Sequence, residues 1–150
     1  MKAELDAITA AMNSNGDSFV SIYGTNAWQN VKIDEAQFPV ICYDLPSVIY
    51  DTPKSGFIGE TYPLTVFIAY KSELEWDGAQ HEVVLEKANT AMREWISRIQ
   101  GNKDINGNRI LEITKIASAN RVKCIFDVCC SGILVQMDIR PTITASVCLT

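Results

Sequence analysis

The apolar positions of this chain change period twice. Leu5, Ile8 and Met12 fall at near-helical spacing, and Asn13-Ser14-Asn15-Gly16 follows with residues that tolerate left-handed backbone. The period then shortens. Phe19–Tyr23 (FVSIY) reads as a short strand, residues 25–36 as a polar loop around Trp28, and VICYDL after Phe38-Pro39 as a second strand. Pro39 suits a strand start, where its missing N–H is tolerable. Tyr62–Lys71 (YPLTVFIAYK) is apolar on both faces, with Leu64, Val66 and Ile68 on one side and Phe67 and Ala69 on the other. This pattern predicts a central strand covered twice, by helices on one face and by a second layer or a neighbouring subunit on the other.

The spacing lengthens again after Asp77. Val84, Ala88, Ala91, Trp95 and Ile99 form one helical stripe, widened by Leu85 and Met92. Asp77 is a good N-cap, Gln80 stands where a capping-box partner belongs, and Gly101 is a stop signal. Acidic residues early and basic residues late suit the helix dipole. Beyond the polar turn NKDINGN come Ile110–Ile116, Val122–Cys130, Ile133–Ile139 and Ile143–Leu149, with junctions at Ser118–Asn120, Ser131-Gly132 and Arg140-Pro141. Ser131-Gly132 fits either a tight turn or a bulge inside one long strand. Such closely spaced runs predict an antiparallel meander. The fold class is α+β: a mostly antiparallel sheet with an N-terminal helix and one long central helix packed on one face, in a single domain over residues 1–150.

Residues 46–61 (PSVIYDTPKSGFIGET) break the rhythm, being rich in Pro, Gly, Ser and Thr yet carrying Val48, Ile49, Tyr50, Phe57 and Ile58. Structureless stretches of this length are uncommon in compact domains and are often functional. Two readings stay open: a hairpin arm, with KSG near its tip, that meets a partner, or a flap folded over its own core.

Composition narrows the function classes. The chain has 150 residues, 47% hydrophobic and 21% charged, enough to bury roughly 68–70% of the surface its unfolded form exposes. No run approaches the ~18 apolar residues of a membrane span, and Glu4 and Asp6 interrupt the first segment, so it does not read as a signal peptide. A soluble intracellular protein is expected. The net charge of −5 is uneven. Residues 1–77 hold four basic and eleven acidic residues, net −7, and residues 78–150 hold nine basic and seven acidic, net +2. No dense basic stripe marks a duplex-binding protein. The asymmetry is either incidental or the complementarity of a head-to-tail assembly.

Candidate chemistry is sparse. The five cysteines include no CxxC, and His81 is far from all of them in sequence, so neither zinc nor thioredoxin-like chemistry is supported. They read as small buried hydrophobes in a reducing compartment. Cys130 is the thiol an enzyme would use, with Arg121 and Lys123 as cations near in sequence. His81, in the first turn of the long helix, has no evident partner and reads as a surface residue. Asp34-Glu35 lacks the glycine and spaced oxygens of an EF-hand, the NGN at Gly107 is a turn, and Ser131-Gly132 lacks a nucleophile elbow's flanking glycine. No catalytic, cofactor-binding or metal residue is therefore assigned, and no enzyme activity or cofactor is expected. Trp95 belongs to the core stripe. Trp28 and Trp76 lie near element ends, as interface anchors or core edges.

The N-terminal helix, the Phe38-Pro39 entry into VICYDL, the YPLTVFIAY strand, the amphipathic helix and the strand-rich C-terminal part, taken in that order and at this length, resemble the tail-terminator and tail-completion proteins of tailed bacteriophages. The resemblance implies a virion structural protein that forms a homo-oligomeric ring, hexameric or dodecameric, at the neck or tail top. Such a ring joins portal and connector to tail proteins and surrounds a channel through which DNA passes without sequence-specific binding. It is assembled in the host cytoplasm and involves no membrane. The subunit would offer two different surfaces whose heterologous contact closes when the rotation per subunit divides a full turn. Tyr50, Phe57 and Ile58 on the arm, with Trp28 and Trp76, are the expected interface residues. The competing reading is a small-molecule-binding α+β domain with a pocket between the long helix and the sheet.

Overall fold

A computed structural model describes residues 1–25, 29, 32, 38–51, 59–103, 105–125 and 129–142. Helix α1 (Lys2–Ala10) and a 3₁₀ turn (Ser14–Gly16) lead into strands β1 (Val20–Tyr23), β2 (Val40–Asp44), β3 (Ile49–Asp51) and β4 (Gly59–Lys71). The long helix α2 (Gly78–Gly101) follows, then β5 (Leu111–Ile125) and β6 (Cys130–Pro141). The strands are ordered β1-β2-β4-β6-β5, with β3 paired to β4 off that path. Every pairing is antiparallel except β1 with β2, which run parallel. A parallel pair needs a crossover of a dozen residues or more; the segment read as a polar loop around Trp28 lies largely outside the described residues. The fold is α+β as expected, with a mixed, mostly antiparallel sheet.

Local chemistry explains the helix limits. Asp77 Oδ1 accepts from the Gln80 N–H at 2.9 Å, and Gln80 Oε1 accepts from the Asp77 N–H at 3.0 Å. This reciprocal box satisfies two donors that the first turn of α2 would leave orphaned. Gly101 is the last helical residue, and Asn102 takes the C-cap place in extended backbone. After α1, Asn15 and Gly16 carry φ of 59° and 74°, the left-handed conformations that Asn and Gly accept most cheaply. Glu94 of α2 ties this turn down by accepting from the Asn13 and Ser14 N–H groups and the Ser14 hydroxyl.

Both helices lie on one face of the sheet. Leu5, Ile8 and Met12 join Val84, Ala88, Ala91, Met92, Trp95 and Ile99 over Ile41, Tyr43, Leu64, Val66, Ile68 and the inward residues of β6. Each fully buried large apolar side chain contributes roughly 1.5–3 kcal/mol, so this stripe, more than helix propensity, holds α2 in place. Ala88 and Ala91 let the helix approach the strands, and Trp95, also without exposed surface, fills the space beside them. The opposite face carries a smaller core of Ile22, Val40, Cys42, Phe67, Ala69 and Cys130, packed by Phe38, Val122 and Leu134. Thus β4 is central, with buried side chains on both of its faces.

The C-terminal half corrects the expected meander. Ser118–Asn120 is not a junction: β5 runs through it as one strand of 15 residues, with register shifts at Ile113/Lys115, Ile116/Ser118 and Val122/Ile125. The shifts absorb the polar interruptions that suggested a turn. Chain reversal therefore falls between Ile125 and Cys130, inside the run Val122–Cys130 that read as a strand. Ser131-Gly132 lies within β6, where Gly132 faces Ala69 of β4 and Val122 of β5. A Cβ at Gly132 would stand 1.8 Å from the Ile68 carbonyl oxygen. That glycine is there because another backbone occupies the space. The expected strand Ile143–Leu149 lies outside the described residues.

Candidate functional site

Residues 46–61 are described only at their base. Ile49, Tyr50 and Asp51 of β3 pair with Thr61, Glu60 and Gly59 at the start of β4, so the described base of residues 46–61 is a hairpin. Adjacent strand residues point to opposite faces, yet Ile49 is 50% exposed and Tyr50 60%. A flap folded over the core would bury one of the two. Across the ladder Gly59, Glu60 and Thr61 are half-buried, and residues 52–58 lie outside the described residues. Tyr62, just beyond it, donates to Glu60 at 2.7 Å, and that bond, with some burial, pushes its phenol up to about 12. The pairing stiffens the place where ribbon meets sheet.

The sheet's far edge is exposed in a similar way. Ile133, Val135, Met137 and Ile139 of β6 are buried beneath the helices. Their partners across the ladder are Arg121, Ala119, Ile116 and Ile113 of β5. Ile116 is 49% exposed, Ala119 and Arg121 are exposed, and Ile113 is half-buried. The helix layer therefore leaves Ile116 and Ala119 uncovered. Arg121 meets Glu82 of α2 in an ion pair.

Of the five expected interface residues, Tyr50 is exposed on the hairpin, whereas Phe57, Ile58 and Trp28 lie outside the described residues. Trp76 is half-buried and packs on the main core. It also meets His81 edge-on, with ring centroids 5.7 Å apart. His81 is the clear correction: it is 7% exposed, not a surface residue, and its Nδ1 is buried without a hydrogen-bond partner. Its place was readable, because His81 precedes Val84 and Leu85 by three and four residues and so shares their face. Trp76, from the preceding turn, closes over it.

Among the described residues Cys42 and Cys130 are free thiols. Burial pushes both Cys42 and Cys130 up to about 12, Cys42 with a further contribution from its neighbour Cys130, far from the lowered values of reactive thiolates. Cys130 has no exposed surface. Cys129 is disulfide-bonded, which departs from the reading of all five cysteines as free small hydrophobes; bridging depends on Cα separation in space, which sequence spacing does not give. Beside it Ser72 and Ser131 share a buried hydroxyl contact of 2.8 Å.

Polar anchoring is concentrated at α1. The Asp6 carboxylate accepts from the Tyr43 hydroxyl at 2.6 Å, from the Ser21 hydroxyl at 2.9 Å and from Lys2. Burial alone would raise this carboxyl, but the bonds from Lys2, Tyr43 and Ser21 outweigh it and hold Asp6 below its ordinary value of 3.8. The Tyr43 phenol is pushed upward by burial and by that same bond. These residues pin the helix to β1 and β2.

Two open grooves are lined by described residues. One, of about 400 Å³, runs between Ala7 of α1 and its C-cap Ala11 on one side and Ser97, Arg98 and Gly101 of α2 on the other. The other, of about 420 Å³, lies among Glu4, Glu60, Tyr62, Leu111 and Pro141. Neither sits beneath the buried stripe of α2, where the ligand-binding reading requires its pocket. Among the described residues no cluster of three or more His, Cys, Asp or Glu could hold a metal ion, and no helix is long and apolar enough to cross a membrane. No family model and no curated protein matches the chain.

Proposed function

We propose that this chain is a structural subunit of a homo-oligomeric ring at the neck or tail top of a tailed bacteriophage. In this reading it joins portal and connector to tail proteins around the DNA channel and performs no chemical step. The observation that carries the reading is the β3–β4 ribbon. It exposes an isoleucine and a tyrosine on adjacent residues of a paired strand. An exposed apolar ribbon is costly unless a partner covers it, and aromatic residues on rigid projections are favoured interface anchors. The order and length of the elements, which resemble tail-terminator and tail-completion proteins, supply the kind of assembly. The overall acidic balance suits a channel wall that lets duplex pass without tight phosphate pairing.

The test is the mass of the protein, alone and mixed with the portal and tail proteins encoded beside it, by native mass spectrometry and electron microscopy. A closed ring in either sample supports the proposal. A monomer in both, with Ile49 and Tyr50 still exposed, contradicts it.

A further inference from the structure

The chain contains two Asn-Gly pairs, Asn15-Gly16 and Asn106-Gly107. This dipeptide carries its own chemistry. The backbone nitrogen that follows an asparagine can attack the side-chain amide, and glycine, having no Cβ, leaves that approach open. Both asparagines are exposed, and both glycines hold positive φ, 74° and 81°. Dipeptide and exposure therefore do not distinguish the two sites. Their bonding does.

Asn15 is built into the turn after α1. Its Nδ2 donates to the Tyr70 hydroxyl at 3.0 Å and to the Lys87 carbonyl at 3.3 Å, tying the amide to β4 and α2. The Gly16 N–H, the nucleophile this site would need, donates to the Asn13 carbonyl at 3.0 Å. Glu94 fixes the preceding Asn13 and Ser14 N–H groups. Ring closure at Asn15 has to break bonds of this set first. Asn106 lies in a turn of another kind. Residues 105–109 are all exposed, and the turn is closed by an isolated bridge between Lys103 and Arg109. Among the described residues no backbone carbonyl accepts from the Gly107 N–H. Asn106 is itself engaged in an interaction; what sets it apart is the attacking nitrogen and the exposure of the whole turn.

We infer that Asn106 is a spontaneous deamidation site in the folded protein, and that the fold protects Asn15 from the same reaction. The Gly107 nitrogen loses its proton to solvent base and attacks Asn106 Cγ. The N–Cγ bond forms, the Cγ–Nδ2 bond breaks, and Nδ2 leaves as ammonia after taking up a proton. Water then opens the cyclic imide at either carbonyl, giving aspartate or isoaspartate. Water is the co-reactant, and nothing is oxidised or reduced. The product adds one negative charge to the −5 of the chain, in a turn flanked by Lys103 and Arg109. Isoaspartate also lengthens the backbone of that turn by a methylene.

The experiment incubates the full-length chain in mildly alkaline buffer, folded and in concentrated guanidinium chloride. Both sites are followed by peptide mapping with mass spectrometry, and electron-transfer fragmentation separates aspartate from isoaspartate. In denaturant the two pairs should react at comparable rates. In the folded chain Asn106 should react at least about tenfold faster than Asn15, whose turn must open locally first. Asn106→Gln should abolish the product at that position and leave the Asn15 rate unchanged. Comparable folded rates, a faster Asn15, or a difference equally large in denaturant would overturn the inference. So would an Asn106 that stays intact in the folded chain, whether or not it reacts in denaturant.

Discussion

β5 and β6 are paired residue for residue along most of their length, yet they live in different environments. Met137 is buried and its partner Ile116 is half exposed; Val135 is buried and its partner Ala119 is exposed. Their side chains lie on the same face of the same sheet, and both strands alternate in polarity. What differs is the helix above them. α2 covers the inward residues of β6, whereas on β5 it meets Leu111 and Ile113 near one end and pairs Glu82 with Arg121, leaving Ile116 and Ala119 exposed. Strand pairing alone therefore says little about burial. An apolar residue on an edge strand stabilises the fold only where something lies on it, and otherwise is available to another chain.

The covered region should be the sensitive one. The largest effect is expected from Gly132→Val. Its new side chain would press into the β4 backbone at Ile68, where no rotamer offers escape, so a loss of about 4 kcal/mol or failure to fold is expected. Urea denaturation, or the soluble yield, measures it. Near-normal stability would mean that β4 and β6 can separate locally, and the covered region would be softer than its packing implies. Ala91→Asp tests the cover itself by placing an unpaired carboxylate where α2 meets the sheet with no exposed surface. A cost of about 3–4 kcal/mol is expected; an unchanged melting temperature would show that this face of α2 is not the buried one.

The sharpest form of the comparison is a matched pair. Met137→Ala should cost about 2–3 kcal/mol in the isolated chain, whereas Ile116→Ala directly across the ladder should change it by less than about 0.5 kcal/mol. Equal costs in chemical denaturation would erase the distinction between the strands. The smallest effect concerns the polar anchor of α1. Asp6→Asn should cost about 1 kcal/mol near neutral pH, since it weakens bonds from Tyr43, Ser21 and Lys2. Because the Asp6 carboxyl titrates lower folded than unfolded, the unfolded chain takes up its proton first. The stabilisation is present above the ordinary value of 3.8 and fades as pH falls through the folded value. The variant's stability should accordingly fall less steeply on acidification than the parent's. Parallel pH profiles would remove Asp6 from the account.

Elements with a strong period or cap were legible in the sequence. The stripe from Val84 to Ile99 with its Asp77–Gln80 box gave α2 correctly, and the two-sided apolar run Leu64–Ala69 gave the central strand. The failures have a common cause: they depend on what lies opposite in space. Ser118–Asn120 read as a turn because small and polar residues interrupt an apolar run, but on an exposed edge polarity is tolerated and bulges take up the extra residues. The parallel pairing of β1 with β2 is invisible to patterns that give period and not direction. His81 read as exposed because it is polar, although its spacing to Val84 and Leu85 placed it inside. The hairpin was readable only as an alternative, since Ile49 and Tyr50 are equally apolar whether a ribbon stands out or folds back.

Amide hydrogen exchange tests most directly whether the exposed ribbon exists for assembly. It would be read at Ile49–Asp51 in the free chain and in the chain mixed with portal and tail proteins. The account predicts fast exchange at the outward amides of this segment in the free chain, and slowing on assembly, while β4 and β6 stay protected throughout. Outward amides that exchange at the same rate in the two samples, with the protein remaining a monomer, would contradict it.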